Sequence, residues 1–450
     1  MSGHKSAFGS IFRNVSFLTV GRIVNALCSF VYTAFAVRAL GLADFGLLIL
    51  IHSLATTGSM LSRMQSWQTL IRYGSQAFSD GQADLLRRVT SFCVRLDFIS
   101  AGCAVVFSLV ATQIYAFTAH WSLHDRLMAD LYVCVAPFMY TGWCNGVLRM
   151  AGKFHLVPVS DTCTAVVRTL GVLLGFFLGF KLAYFLCVWA VTIILDYGLY
   201  IYFALSVLRT RYGFRYFRSF RGWGWSLPGM WQFTRSTSIN QTLSNISGHV
   251  ATLLVGSGLG SADAAVFRVC RQIADGIVTP AQLLSPVLYP ELVKMRDRKD
   301  WIGLKKVSRR VFGILAGISV ILMALAFGIG SRVFYMMLHT HVSGTTIYIV
   351  IMLGAAICSL LTIPLEPLLI VVGQVRFLMR NRTVITAIYF PALYMLTVRY
   401  GLAGACLSTL ACNAAILLSC FAGMRNFSGE VRSKGGCAPA EEPARSGESV

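Results

Sequence analysis

Long apolar runs separated by short polar or basic segments recur along the whole chain. Twelve are of spanning length, close to the ~20 residues that a helix needs to cross a bilayer. They lie at about 16–37, 44–66, 89–112, 128–149, 157–180, 183–207, 230–257, 264–290, 311–336, 345–372, 383–398 and 402–424. Only helices and closed barrels satisfy their backbone polar groups in lipid, and runs of this length predict helices. Composition agrees, with 56% hydrophobic and 13% charged residues over 450 positions. The expected fold is therefore an all-α polytopic membrane protein of twelve transmembrane helices.

The pattern repeats. Leu40-Gly41-Leu42-Ala43-Asp44 aligns with Leu259-Gly260-Ser261-Ala262-Asp263, and Leu86-Arg87-Arg88-Val89-Thr90 with Leu304-Lys305-Lys306-Val307-Ser308. Gly152-Lys153 falls near Gly373-Gln374, and Leu182-Ala183 falls on Leu402-Ala403. Nearly constant offsets in chain order mark an internal repeat. Six helices per repeat make both halves start on the same side, so the repeats are parallel, and transporters of this plan bind substrate between their halves. The expected division is an N-terminal six-helix bundle at 1–208, a basic-aromatic cytoplasmic linker at 209–229, a C-terminal six-helix bundle at 230–425 and a disordered cytoplasmic tail at 426–450.

Charge then orients the chain. The formal net charge is +21, and Lys and Arg concentrate in loops on the side where the chain begins, from Arg72, Arg87 and Arg88 through Arg209–Arg221 and Lys294–Arg310 to Arg376–Arg382. Only Arg38, Arg126, Lys181 and Arg399 fall opposite. The positive-inside rule places both termini in the cytoplasm, and the asymmetry accounts for the charge without nucleic acid as a partner. The first run is too long for a signal-peptide core and reads as a retained span.

Arginine also occurs inside the apolar runs, at Arg22, Arg63, Arg95, Arg168, Arg235, Arg268, Arg271 and Arg332. At the bilayer centre a charge costs about 2.5–3.5 kcal/mol on insertion scales, so such residues face water, a counter-charge or an anionic ligand. Residues three, four and seven apart share a helix face, and four spans carry polar stripes on this rule. These are Arg22, Asn25, Ser29 and Tyr32 in the first; His52, Thr56, Ser59 and Arg63 in the second; Arg235, Ser238, Thr242, Asn245 and His249 in the seventh; and Arg268, Arg271, Asp275, Thr279 and Gln282 in the eighth. The pattern predicts a water-filled seam lined by spans one, two, seven and eight, with Arg22, Asn25, His52, Arg63, Arg168, Arg235, Asn245, Arg268 and Arg271 as candidate substrate-binding residues. Depth suggests a stepwise path for an anion, from Arg22, Arg63 and Arg235 near the cytoplasm past Arg168 to Arg268 and Arg271. Snorkelling to the headgroups is the alternative, and for Arg63, Arg95 and Arg332 both readings stand.

Carboxylates in the same spans have two readings. Arg271 with Asp275, and Arg168 with Asp161, are spaced to form ion pairs. A cavity carboxylate can also bind a cation and couple transport to an ion gradient, which makes Asp161 and Asp275 the candidate ion-coupling residues, ahead of Asp97, Asp196 and Glu366. Pro280, Pro286 and Pro290 should kink the eighth span, and Pro364 and Pro367 should break the helix around Glu366.

Other signals reduce to structure. The 13 cysteines lie mostly in apolar helices without metal-ligand spacing, and act as small hydrophobes. Gly171, Gly175 and Gly179 have close-packing spacing. Gly256, Gly258 and Gly260 follow no strand and make no phosphate loop. His339 and His341 have no partners for a metal. The aromatic and basic run Phe214–Trp225 reads as an interfacial linker on anionic lipid. There is no nucleotide-binding loop, zinc motif or catalytic grouping, so neither an enzyme nor a cofactor is expected.

Gly21-Arg22-Ile23-Val24, followed by Arg38-Ala39-Leu40-Gly41-Leu42-Ala43-Asp44-Phe45-Gly46, resembles the start of the Wzx-type oligosaccharide flippases, relatives of the MATE multidrug transporters and the lipid II flippases. The likeness in layout runs from about Phe8 to Arg425. It implies alternating-access transfer of undecaprenyl-pyrophosphate-linked oligosaccharide across the bacterial cytoplasmic (inner) membrane. Membrane lipids and the polymerase or export proteins of a polysaccharide pathway are the implied partners. It further assigns pyrophosphate and acidic sugars to Arg22, Arg235, Arg268 and Arg271. A MATE-type exporter of drugs or metabolites shares the architecture, but cationic drugs call for acidic cavities. A polysaccharide polymerase or ligase would carry a large outer loop, and the longest here, around 113–127, is short. The signature of major-facilitator transporters between spans two and three is missing from Trp67 to Arg88.

Overall fold

A computed structural model describes residues 2–153, 155–213, 227–245, 247–281, 292–293, 295–296, 298, 300–338 and 344–433. The first half contains α1 (Ser2–Ser62), α2 (Ser66–Ser79), α3 (Ala83–Thr118), α4 (Leu123–Val133), α5 (Gly142–Met150), α6 (Leu156–Phe177) and α7 (Leu182–Tyr212). The second contains α8 (Met230–Asn245), α9 (Ser247–Leu259), α10 (Ser261–Ala281), α11 (Trp301–Leu338), α12 (Thr345–Thr362), α13 (Leu365–Val371) and α14 (Val375–Ser433). The chain is all-helical across its described residues, as its apolar periodicity predicts.

By length and composition, seven of the described helices can cross a membrane, or eight if α4 and α5, bent by 51° across the 3-10 turn at Ala136–Met139, form one span. Two of these long helices are each two spans. In α1 the backbone leaves helical geometry at Gly41 (φ 75°), and in α14 at Gly401 (φ 63°). Positive φ costs glycine little, and each residue reverses the chain between two antiparallel passes. The remaining two passes, α8–α9 and α10, are the polar ones. They fall short of a lone span in length or in hydropathy, and they pack against α1 and α14. Twelve passes result, in two parallel sets of six.

Repeat symmetry recurs in the turns. Gly41 and Gly260 (φ 97°) occupy matched positions, as do Gly152 (φ 69°) and Gly373 (φ 89°). Helix α7 continues through Arg209 and Arg211 to Tyr212, and α14 continues to Ser433, so helix extends into the segments assigned to linker and tail. The basic-aromatic run at 214–226, Gln282, Pro286, Pro290, His339, His341 and 434–450 lie outside the described residues.

The second span is not continuous. It breaks at Arg63, Met64 and Gln65, where the sequence predicts unbroken helix. Backbone groups freed in a membrane need partners, and distant side chains supply them. Tyr140 donates to the Met64 carbonyl (2.6 Å), Ser238 accepts from the Gln65 amide (2.8 Å), and Thr242 donates to the Met60 carbonyl (3.2 Å).

The main apolar cluster unites both halves near the face opposite the N-terminus, joining Phe45, Leu48 and Ile51 to Val255, Phe267 and Leu393. Near the N-terminal face the clusters are smaller, and one of them takes in Met230 of α8 from the second half. Leu70, Leu86, Cys144 and Leu208 pack in the first half; Leu292, Leu304, Leu368 and Val371, with Leu365, Leu369, Leu378 and Cys420, pack in the second. Outward-facing Phe117 (82% exposed) and Phe177 (76%) mark surface suited to lipid.

Candidate functional site

The first arm of α1 packs on α10, and the second arm, continued by α2, packs along α9 and α8. Gln272 of α10 donates to Ser29 (2.8 Å) and accepts from Thr33 (3.2 Å). A Cβ at Gly276 would meet the Phe30 ring at 3.2 Å, so that small residue permits close approach. Toward the opposite face, Arg38 donates to the Met336 carbonyl (2.7 Å) and Tyr115 to the Leu253 carbonyl (3.2 Å). Gly46 lies so close to the Ser261 backbone that a Cβ there would overlap its carbonyl. Toward the N-terminal face, Thr69 and Thr234 share a hydrogen bond (2.7 Å) and Arg72 stacks on Phe233 (4.3 Å). The α2–α8 side of the seam is thus closed along its length. Beside it, Arg22, Arg235 and Asp275 stay exposed.

Between these ends the basic residues converge. The His52 ring shares a hydrogen bond with the Tyr132 hydroxyl (2.8 Å) and faces His249 of the other half, with 6.5 Å between ring centres. His52 interacts electrostatically with Arg168 and Arg268, and His249 with Arg63, Arg268 and Arg271. Arg168 donates to Thr192 (2.9 Å) and lies over Tyr32 and Trp189 at 5.6 and 5.5 Å. Tyr32 and Trp189 meet edge to face at 5.4 Å, so Arg168 is held by an aromatic corner and has guanidinium donors left for a ligand. Arg268 is half-buried beside Arg271, Asp275 and Tyr32.

Few counter-charges offset this group. Asp275 approaches Arg271 at 3.6 Å, but its side chain is 61% exposed. Asp196 is the carboxylate that interacts with Arg168, and it accepts from Ser160 and Thr164, both at 3.1 Å. Three arginines, Arg168, Arg268 and Arg271, against two carboxylates leave a cationic centre. Guanidinium forks match the oxygens of phosphate and carboxylate, and such charged hydrogen bonds are the strong ones.

The remaining predicted residues fall elsewhere. Arg22 is exposed, with Asp161 and Arg149 as electrostatic neighbours. Asn25 is half-buried one turn further along α1. Asp161 accepts from Tyr200 (3.1 Å), so the spacing-based pair with Arg168 gives way to a tyrosine partner, while Arg168 faces Asp196 from the neighbouring helix. The pairing of Arg271 with Asp275 is present. Asn245 closes α8, and its side chain lies outside the described residues. Ser59 and Arg63 turn into the N-terminal half, where they line a cavity with Asp97 and Tyr140. The basic residues therefore gather round two histidines instead of forming a ladder through the membrane.

Residues outside the predicted set complete the centre. Gln272 lies four positions after Arg268, on the same face, and that spacing was available to find it. Tyr132, Trp189 and Thr192 come from spans without a polar stripe and carried no such signal. In the C-terminal half, Glu366 and Arg382 form an ion pair at 2.7 Å beside cavities of about 330 and 150 Å³. The helix is interrupted there between Thr362 and Leu365, at the prolines that predict it.

Comparison with known proteins bears on this geometry. Residues 161–341 match the model of a family described as polysaccharide biosynthesis protein. Inner membrane protein YghQ of Escherichia coli (strain K12) is 29% identical over 328 residues, 71% of this chain and 90% of that protein. A multidrug resistance MATE family transporter of the MOP superfamily, in an inward-facing conformation, superposes with a TM-score of 0.71 at 11% identity, covering 92% of this chain and 96% of that one. A point mutant of the Vibrio cholerae MATE transporter VcmN superposes with a TM-score of 0.59 at 15% identity, covering 96% and 99%. The chain is thus a multi-pass membrane protein with the fold of the MATE transporters, and its central region matches a polysaccharide biosynthesis family.

Proposed function

We propose that this protein is a flippase that carries undecaprenyl-pyrophosphate-linked oligosaccharide across the bacterial inner membrane by alternating access, as a step of polysaccharide biosynthesis. The observation that carries the reading is the convergence of Arg168, Arg268 and Arg271 with His52 and His249 between two pseudo-symmetric halves. A diphosphate matches that centre in charge and in hydrogen-bonding geometry. The matched polysaccharide family and the membrane relative support the substrate class and the compartment. The headgroup would cross in the polar seam while the polyprenyl tail stays in lipid.

Both termini face the cytoplasm in this reading, so the exposed Arg22 and Arg235 stand where an anionic headgroup arrives. The seam closed by Arg38, Gly46 and Tyr115 lies on the far side. Rocking of the halves would part those contacts and release the headgroup there. Asp161 and Asp275 are the carboxylates proposed to couple that motion to an ion gradient, Asp161 beside Arg22 and Asp275 beside Arg271. A drug exporter of the same fold would require a chamber of opposite charge if its substrates were cations.

The test is deletion of the gene, followed by measurement of which leaflet holds the lipid-linked oligosaccharide. The reading predicts accumulation on the cytoplasmic leaflet and loss of surface glycan. Normal surface glycan in a strain without a substitute transporter rejects it.

A further inference from the structure

The break in the second span opens onto a cavity of about 170 Å³ inside the N-terminal half, away from the arginine centre. Ser59, Arg63, Asp97, Ser100, Tyr140 and Tyr197 form its polar wall. Three of these six present a buried polar atom without a hydrogen-bond partner: Nε of Arg63, Oδ1 of Asp97 and Oγ of Ser100. Leaving one such group unmet costs about 1–3 kcal/mol. Three on one cavity wall, drawn from the second and third spans, indicate a site built for polar contents.

Asp97 is the distinctive member. Its Oδ2 accepts from the Trp143 amide (2.8 Å), and the Ser66 hydroxyl also bonds the carboxylate. It forms no ion pair with a described residue. The titratable and charged groups facing it are Cys93 on its own helix, Tyr140 and Cys144 across the fourth span, Tyr197 on α7, and Arg63 across the cavity. Arg63 makes no ion pair with it, its guanidinium lying over the Tyr140 ring at 5.3 Å. A buried carboxylate with a free lone pair in a membrane needs a proton or a cation. Coupling-ion sites in transporters form where a spanning helix is interrupted, and the interruption at Arg63–Gln65 adjoins this one.

We propose that the cavity is a binding site for a monovalent cation centred on Asp97, with the Ser100 and Ser59 hydroxyls as further oxygen ligands. The cation is a proton, taken from hydronium to leave water and a neutral carboxyl, or Na+. A single carboxylate suits one positive charge, and among the described residues no group of three or more His, Cys, Asp or Glu side chains forms a metal cluster. The site is separate from Asp161 and Asp275. It stands whether or not the transported molecule is a lipid-linked sugar. Arg63 supplies the link to transport, because it lines this cavity and also interacts with His249 at the seam.

A hydrophobic carbodiimide tests the site, since it reacts with buried protonated carboxyls. Phe98, on the cavity wall and 72% exposed, gives it a route from the detergent phase. The full chain is treated in detergent across a pH series in Na+ or choline buffer, and adducts are mapped by peptide mass spectrometry, with Asp97→Asn as the control for assignment. A proton site gives a label at Asp97 that falls several-fold as pH rises, equally in both buffers. An Na+ site adds a several-fold protection by Na+ at fixed pH that choline does not give. Ser100→Ala, which leaves the carboxylate in place, is expected to move the labelling midpoint or weaken the Na+ protection. Absence of label at every pH, a label indifferent to both pH and Na+, or a Ser100→Ala profile identical to the parent overturns the proposal. Surface-glycan export is not read in this experiment, so its outcome is independent of the flippase reading.

Discussion

The two ends of the seam are built differently. Near the face opposite the N-terminus, one apolar cluster runs through both halves, joined by Phe45, Leu48, Val255 and Phe267, and sealed by Gly46 against Ser261. Near the N-terminal face the halves meet through a smaller cluster that takes in Met230 of α8 and through the Thr69–Thr234 and Arg72–Phe233 contacts, and beside these Arg22, Arg235 and Asp275 are exposed. A contact made of packed side chains and a few hydrogen bonds can part as a unit, and the smaller contact near the N-terminus leaves charged groups exposed beside it. The difference teaches that the arginine centre sits behind a closed door on one side and beside polar, charged surface on the other.

The largest expected effect lies at the centre itself. Arg268→Ala removes a half-buried guanidinium close to His52, His249 and Arg271, and a hydrogen bond to a charged partner is worth about 1.5–3 kcal/mol. Export of glycan should fall by about tenfold to a hundredfold, with protein level in the membrane unchanged. Export at the parental rate would detach the centre from transport.

The closed end comes next. Gly46→Leu puts a side chain into the Ser261 backbone and should pry the halves apart on that face. Peptide-resolved thiol labelling at Thr33→Cys, added to that variant, is expected to rise several-fold over Thr33→Cys alone. Equal labelling would mean that the contact does not hold the seam shut.

At the N-terminal end, Arg22→Ala and Arg235→Ala remove exposed charges that act by attraction over distance. Their loss should slow export only a few-fold, and the deficit should shrink at high salt, where screening removes such steering. A salt-independent block by either variant would make that residue part of the binding centre.

The smallest effect is expected at the ion pair between Glu366 and Arg382. Glu366→Gln breaks the pair with Arg382, but side-chain exposures of 26% and 39% leave the pair screened by water. The loss should be about 1 kcal/mol or less, seen as a melting shift of a few degrees in detergent with export retained. Loss of export without loss of stability would extend the working site to this ion pair.

Much of this architecture was legible because it depends on local pattern. Apolar runs of spanning length mark the passes, Gly41 and Gly401 mark the reversals within α1 and α14, and the matched glycines at 152 and 373 mark the repeat. The arginine centre was legible in part. Spacing brought out Arg268 and Arg271 on one face and His52 and His249 on helices that meet. The break at Arg63–Gln65 was not legible, because no proline or glycine marks it. Tyr140 and Ser238, which satisfy its backbone, lie 76 and 173 positions away from the groups they bind. The same long-range geometry places Ser59 and Arg63 on a cavity of the N-terminal half, where a helical stripe had put them among the lining of the seam.

The most direct test of the central claim is binding of undecaprenyl pyrophosphate to the purified full chain, compared with undecaprenol, by native mass spectrometry in detergent. The arginine centre predicts a strong preference for the pyrophosphate, lost in an Arg268→Ala/Arg271→Ala double variant that keeps the parental melting temperature. Equal binding of the two lipids, or an undiminished preference in the folded double variant, would contradict it.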